Sequence, residues 1–158
     1  MPPFEDYAMK GRTYRYLQAK PLYPFGYGLS YTTFSYRGLL LLNKEINASD
    51  LLSAEVTVIN TGRRAGDEVV QLYVSFPNVP GAPLRALRGF KRVHLEQGES
   101  EKIRFDLKDR DLSMVTEAGE PVIAEGTYSV SIGGGQPNTD VPVVVGTFKV
   151  KGTKTLPE

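Results

Sequence analysis

Apolar and polar side chains alternate along several short stretches of the chain. From Leu52 to Val58 the apolar residues occupy every second position, and the sequence Asn60-Thr61-Gly62 follows shortly afterwards. An alternation of period two places the apolar side chains on one face of a β-strand, and Asn and Gly are typical of the turn that ends a strand. The pattern therefore predicts a strand with one buried face.

The same test identifies strands along most of the chain. No stretch has the 3.6-residue period of an amphipathic helix, and the segment 109–113 between two strands is predicted as a connection or a single helical turn. About seven short strands separated by turns predict an all-β fold, an immunoglobulin-like antiparallel β-sandwich. The predicted strands lie at about 34–42, 52–58, 70–76, 87–95, 103–107, 128–132 and 141–150.

The beginning of the chain has a different composition. Ten of the sixteen Tyr and Phe residues lie within the first 36 residues, among several Pro and Gly residues that interrupt helices and strands. We therefore predict an extended aromatic arm over residues 1–31 and the sandwich over residues 32–151. Residues 152–158 contain one large apolar side chain and are predicted as a frayed, flexible tail.

Composition and charge exclude several classes of function. The 158 residues include no Cys and one His, and the formal net charge is +1. Such a chain lacks the electric field that holds nucleic acid or an anionic membrane and the ligands of thiolate or histidine metal clusters. Its longest apolar run, 39–42, is far shorter than the ~20 residues that cross a bilayer. We expect one domain with no nucleic-acid or membrane partner, no metal and no cofactor.

Three ordered stretches go beyond the strand pattern. Residues 21–34 read PLYPFGYGLSYTTF, residues 65–74 read AGDEVVQLYV, and residues 84–100 contain LRALRGFKRV and then LEQGES. In order and spacing they resemble the C-terminal fibronectin type III-like domain of glycoside hydrolase family 3. The resemblance covers nearly the whole chain, and residues 11–16 resemble the end of the preceding domain. The chain departs from many family members in having no tryptophan in residues 117–123.

The resemblance implies a fold, a parent enzyme and partners. It implies a fibronectin type III-like sandwich joined to a β-glucosidase or β-xylosidase whose nucleophile and acid/base reside in two upstream catalytic domains. Because neither domain is present in these residues, we expect no catalytic residue here and no glycoside hydrolysis by the chain itself. The implied partners are those catalytic domains, and the implied location is periplasmic or secreted.

Pairs of carboxylates are the chemistry that a glycosidase needs. Asp67 and Glu68 are adjacent, and adjacent residues on a strand point to opposite faces, so they cannot line one pocket together. Asp109 and Asp111 lie in a segment without the Gly and terminal Glu of a calcium loop. We interpret both groups as surface residues.

The basic residues around His94 are the next candidates. His94 alternates with buried positions, which predicts an exposed imidazole, and the spacing implies no acidic partner for it. Four cations precede it and do not share one face of a strand. We interpret them as solvated residues or as interdomain ion-pair partners, with contact to an acidic polymer as the alternative. They are Arg85, Arg88, Lys91 and Arg92.

The aromatic arm holds the candidate functional residues, and two interpretations of it stay open. The rings either dock against the catalytic domains, which we favour, or form a platform that binds β-glucan or xylan by stacking on sugar rings. Without a neighbouring domain, the rings are expected to fold back on the sandwich or to form a homodimer. The candidates are Tyr14, Tyr16, Tyr23, Phe25, Tyr27 and Tyr31.

Overall fold

The structure is a computed structural model that describes Pro3, Glu5, residues 11–77 and residues 79–157. Within these residues the seven longest strands lie where the alternation predicts them, and neither helix is long and apolar enough to cross a membrane. The strands are β1 (Phe34–Leu41), β2 (Glu45–Asn47), β3 (Leu52–Asn60), β4 (Gly66–Ser75), β5 (Ala86–Leu95), β6 (Ser100–Leu107), β7 (Met114–Val115), β8 (Pro121–Ile123), β9 (Gly126–Gly133), β10 (Val143–Lys151) and β11 (Lys154–Thr155). The helices are α1 (Thr13–Tyr16) and α2 (Asp109–Leu112).

Two main sheets form the sandwich. One has the strand order β1-β3-β6, and the other has the order β2-β10-β9-β4-β5. A third, smaller sheet has the order β11-β8-β7. The strand pairs are antiparallel, except that the short β2 runs parallel to β10. The all-β sandwich expected from the sequence is thereby confirmed, with one parallel pair that the alternation does not reveal.

The core lies between the two main sheets. Alternate residues of β3, among them Val56 and Val58, are at most 1% exposed and pack with Ile103 of β6 and Leu72 of β4. Burial of apolar surface stabilises the fold by about 25 cal/mol per Å². β4 is buried on both faces over 70–74, as β9 is over 130–133. Something other than the opposite sheet therefore covers its outer face.

The C-terminal residues differ from the predicted frayed tail. β11 pairs with β8, the Leu156 side chain belongs to the core, and the Leu156 amide donates a hydrogen bond to the carbonyl of Pro121 at 2.8 Å. Lys154 Nζ also contacts an Asp109 carboxylate oxygen at 2.6 Å. The prediction is wrong for residues 154–156 because one apolar side chain is enough to fix a short segment when a free sheet edge lies beside it. The helical turn predicted at 109–113 is present as α2.

The arm and the sandwich face that it covers

Tyr14 of α1 fixes the start of the arm against the outer face of β4. Its ring stacks on Phe25, with centroids 4.6 Å apart, and meets Tyr73 of β4 edge to face at 6.0 Å. The Tyr14 hydroxyl accepts a hydrogen bond from the Leu87 amide at 3.3 Å. Next to it, the Arg15 carbonyl accepts one from the Leu84 amide at 2.8 Å. The arm therefore folds back on its own sandwich.

Two buried amide side chains lie against the middle of the arm, and one of them is bonded to it. Gln136 is 2% exposed, and its Oε1 accepts a hydrogen bond from the Phe25 amide at 3.2 Å. Gln71 accepts a hydrogen bond from the Tyr73 hydroxyl at 2.7 Å. Gly26 has a φ of +80°, and a Cβ at this position would lie 2.5 Å from Gln71 Nε2. Only glycine combines this backbone conformation with so close an approach.

A third contact fixes the end of the arm where β1 begins. The buried Thr32 hydroxyl donates a hydrogen bond to Asn60 Oδ1 at 2.7 Å. Asn60 Nδ2 in turn donates to the carbonyl of Leu95 at 2.9 Å, and the Thr61 amide donates to the carbonyl of Thr33 at 2.8 Å. These bonds satisfy polar groups that would otherwise be buried without partners. The backbone of the arm is thus anchored at three places.

Several apolar side chains of the anchored arm face solvent. Leu29 is 91% exposed and Tyr31 is 94% exposed. A continuous group of exposed apolar side chains on a soluble protein marks a contact surface more often than single exposed residues do. We call this group the arm surface, and it consists of Leu22, Tyr23, Phe25, Tyr27, Leu29 and Tyr31. It borders an apolar groove of about 670 Å³ between α1 and the segment 21–25.

The structure divides the six predicted candidates into two groups. Tyr14 and Tyr16 are partly covered by the rest of the chain, whereas the other four belong to the arm surface. Tyr23 and Tyr27 are neighbours, with centroids 5.4 Å apart and planes inclined by 49°. The docking and sugar-stacking roles of these residues remain predictions.

Four further residues of this region are not among those predicted from the sequence. Leu22 and Leu29 belong to the same Pro- and Gly-rich segment as the aromatic residues and lie outside any alternating strand, which is a signal that could have identified them. Gln71 and Gln136 carry no comparable signal, because a buried amide looks like a surface amide in the sequence. Their importance follows only from the hydrogen bonds that they make.

Asp67 and Glu68 point to different surroundings, as the strand geometry predicts. Asp67 contacts Arg92 at 2.5 Å and His94 Nδ1 at 2.8 Å, because β4 and β5 place Asp67 directly opposite His94. The hydrogen bonds from Arg92 and His94 lower the pKa of Asp67, and the bond to Asp67 raises the pKa of His94. The exposed imidazole was expected, but the expectation that it has no acidic partner is wrong.

Glu68 lies on the other face of β4, half-buried beside Tyr36. The Tyr36 hydroxyl donates a short hydrogen bond to Glu68 Oε1. Burial raises the pKa of Glu68, and the bond from Tyr36 partly opposes this change. Burial also raises the pKa of Tyr36, so its hydroxyl remains protonated at neutral pH.

The remaining acidic candidates take part in local structure. Asp109 pairs with Lys154, and Asp111 Oδ2 accepts a hydrogen bond from the Lys108 amide at 2.8 Å at the start of α2. In residues 11–77 and 79–157, no group of three or more His, Asp or Glu side chains is placed to hold a metal ion.

Two of the four cations before His94 are not solvated. Arg85 is 8% exposed and donates a hydrogen bond to the carbonyl of Pro137 at 3.1 Å. Arg88 donates one to the carbonyl of Ser113 at 2.5 Å. The interpretation as solvated strand residues is wrong for these two, because loops that are distant in sequence cover this end of β5. Lys91 and Arg92 are exposed and pair with Glu101 and Asp67.

Comparison with known proteins decides the family. Residues 68–136 match the model of the Fibronectin type III-like domain. The chain contains a fibronectin type III-like domain. A β-xylosidase from Formosa agariphila is 40% identical over 138 residues, which are 86% of this chain and 19% of that protein. A xylan 1,4-β-xylosidase from Xylanibacter ruminicola is 38% identical over 82% of this chain and 16% of its own length.

Solved structures agree with the sequence matches. The structure of β-glucosidase 3B from Thermotoga neapolitana in complex with glucose superposes with a TM-score of 0.78 and 33% identity, over 92% of this chain and 19% of that one. The chain therefore spans less than a fifth of each of these three relatives. The predicted resemblance to the fibronectin type III-like domain of family 3 glycosidases is confirmed. Relative to those enzymes, the matched part is non-catalytic.

Proposed function

We propose that this fibronectin type III-like domain is an accessory domain of a β-xylosidase or β-glucosidase, and that it stabilises and orients the catalytic domains. The contact is made by the arm surface. The observation that carries the proposal is the combination of a firmly anchored arm backbone with apolar side chains that face solvent, such as Leu29 and Tyr31.

An anchored apolar surface is suited to binding another protein domain. Three sets of hydrogen bonds, centred on Tyr14, Gln136 and Thr32, fix the arm before any partner binds. Binding then costs little additional ordering of the backbone. Burial of the exposed Leu and Tyr side chains supplies the favourable free energy. Interdomain contacts within one chain have this character.

The geometry of the rings favours docking over sugar binding. Stacking on a polysaccharide is best served by rings that present a flat row, whereas the planes of Tyr23 and Tyr27 are inclined by 49°. Leu22 and Leu29 are as exposed as the rings and offer no stacking face to a sugar. The experiment must therefore distinguish docking on a catalytic domain from the alternative, which is binding of β-glucan or xylan.

A chimera tests the accessory role. In the chimera, residues 11–157 of this chain replace the matched part of the β-xylosidase that is 40% identical to it. In a variant of the chimera, Leu22, Leu29 and Tyr31 are changed together to Ser. In the chimera we expect the half-life of activity on heating to fall by about tenfold, which corresponds to about 1.4 kcal/mol. In the isolated chain the same changes should leave the urea midpoint unaltered, because these side chains contact solvent there.

The control variant removes exposed apolar side chains elsewhere. Phe90 and Val115 are 70% and 58% exposed and lie outside the arm surface, and both are changed to Ser. This variant should leave the chimera's half-life unchanged. Equal half-lives for the two variants would contradict the accessory role. Saturable binding of xylan or β-glucan by the isolated chain, lost on Tyr23→Ala, would support the alternative instead.

A further inference from the structure

Three arginines line a second pocket beside α1. Arg15 lies on α1, Arg88 on β5 and Arg110 on α2. The pocket has a volume of about 290 Å³, and its other walls are largely apolar, with Met114 and Pro121 among them. Three segments that are distant in the sequence thus each contribute an arginine to one pocket.

Arg88 has an unused hydrogen-bond donor. Its Nη2 donates to the carbonyl of Ser113, and its guanidinium lies 5.4 Å from the centre of the Phe76 ring. Its Nε is buried and has no hydrogen-bond partner. Buried N–H groups in proteins almost always have a partner, so an unpaired one calls for a ligand or another explanation. The positive charge of Arg15 also lowers the pKa of Arg88, although burial is the larger cause.

No acidic side chain forms an ion pair with this cluster within the described residues. Among residues 11–77 and 79–157, the ion pairs include none of the three arginines. Asp111 is close enough to attract Arg88 electrostatically, but its carboxylate accepts the Lys108 amide. The Arg15 Nε contacts a neutral group, the Tyr14 hydroxyl, at 3.4 Å. Among the described residues, the pocket therefore has three arginines and one nearby carboxylate, that of Asp111, and it carries a net positive charge.

We propose that this pocket binds one organic carboxylate group through Arg15, Arg88 and Arg110. A guanidinium presents N–H donors in a planar fork that matches the two oxygens of a carboxylate. The apolar walls suit a short carbon stem, which inorganic phosphate lacks. The proposal concerns a site separate from the arm surface and does not depend on the accessory role.

Titration of the 158-residue chain with two carboxylates tests the proposal. The probes are N-acetylglutamate amide, which has the carboxylate of a protein side chain, and glucuronate, which has that of an acidic sugar. Their neutral counterparts are N-acetylglutamine amide and glucose. The readout is the NMR signal of the Arg88 Nε–H group in protein labelled with ¹⁵N. We expect a saturable shift at millimolar concentrations of at least one acid, and the stronger acid identifies the source.

Variants of the two exposed arginines complete the experiment. Arg15→Gln and Arg110→Gln should each weaken binding by about tenfold, the ratio expected for one charge-assisted hydrogen bond. Arg63→Gln removes an exposed arginine outside the pocket and should leave the affinity unchanged. The proposal is overturned if neither acid shifts the Arg88 signal, if the neutral counterparts shift it equally, or if Arg63→Gln weakens binding as much as Arg15→Gln.

Discussion

The ring of Tyr14 stacks on the ring of Phe25, with centroids 4.6 Å apart and planes inclined by 24°. This contact joins α1 to the segment 21–25, and the Tyr14 ring also packs against Tyr73 of the sandwich. It explains how a segment rich in Pro and Gly holds one conformation. The arm uses some of its aromatic residues for its own anchoring and leaves the others exposed.

Removal of the Tyr14 ring should loosen the arm. Tyr14→Ala removes the stack on Phe25 and the acceptor of the Leu87 amide. We expect a loss of about 1 to 3 kcal/mol of arm stability, and therefore faster cleavage by chymotrypsin after Tyr27 during limited proteolysis. Tyr31→Ala, at a residue that is 94% exposed, is the control and should leave the rate unchanged. Equal rates for Tyr14→Ala and the unmodified chain would contradict this role.

The C-terminal segment should contribute to global stability. Leu156 is 7% exposed within the core, so Leu156→Ala should lower the free energy of unfolding by about 2 kcal/mol, near the lower end for buried Leu. Urea denaturation measures the change, and Leu29→Ala, at an exposed Leu, is the control. A frayed tail would give the two variants the same stability.

The pairing of His94 with Asp67 predicts a shifted titration. The bond to Asp67 raises the pKa of His94 above its ordinary value of 6.5, so the protonated form is favoured in the folded chain. The resulting stabilisation is present below pH 6.5 and is lost as the pH rises through the folded pKa. His94 is the only histidine of the chain, so its ring proton signal in NMR is unambiguous. Asp67→Asn should lower its pKa, and an unchanged value would refute the pairing.

The half-buried Glu68 predicts a second pH dependence of stability. Glu68 is an acid and His94 is a base, but both contributions are lost as the pH rises. Its folded pKa is raised above the ordinary value of 4.5, mainly by burial. The stability that this group contributes is complete below pH 4.5 and is lost as the pH rises through the folded pKa. The variant Glu68→Gln stays neutral, so its stability relative to the unmodified chain should increase as the pH rises from acidic to neutral.

Urea denaturation at several pH values measures this trend for Glu68. The matched control is Glu125→Gln, at an exposed glutamate. If the relative stability of Glu68→Gln falls with rising pH, Glu68 has a lowered pKa in the folded chain and the account of its burial fails.

The sequence predicted the strands well because their burial is periodic. Val56 and Val58 alternate with polar residues, and this alternation is visible in the sequence of the strand without any knowledge of its partner strand. The alternation could not reveal what covers the outer face of β4, because Tyr14 and the Gly134 carbonyl reach it from distant segments. The same limit applies to Leu156, whose burial depends on a free sheet edge.

The candidate site was predicted only in part for a related reason. Composition identified the aromatic arm, but it could not separate rings that anchor the arm, such as Tyr14, from rings that face solvent, such as Tyr31. Arg88 looked like a surface cation because it belongs to a stretch, 85–92, that contains four cations. Its burial arises from contacts with Phe76 and Ser113, which no local pattern specifies.

Hydroxyl-radical footprinting tests the central claim, that the arm surface docks on a catalytic domain, most directly. Oxidation of Tyr23, Tyr27 and Tyr31 is compared between the isolated chain and the chimera with the β-xylosidase. Phe90, which is exposed outside the arm surface, serves as the internal control. The account predicts that the three tyrosines are several-fold less oxidised in the chimera, with Phe90 unchanged. Equal oxidation of the tyrosines in both proteins would contradict it.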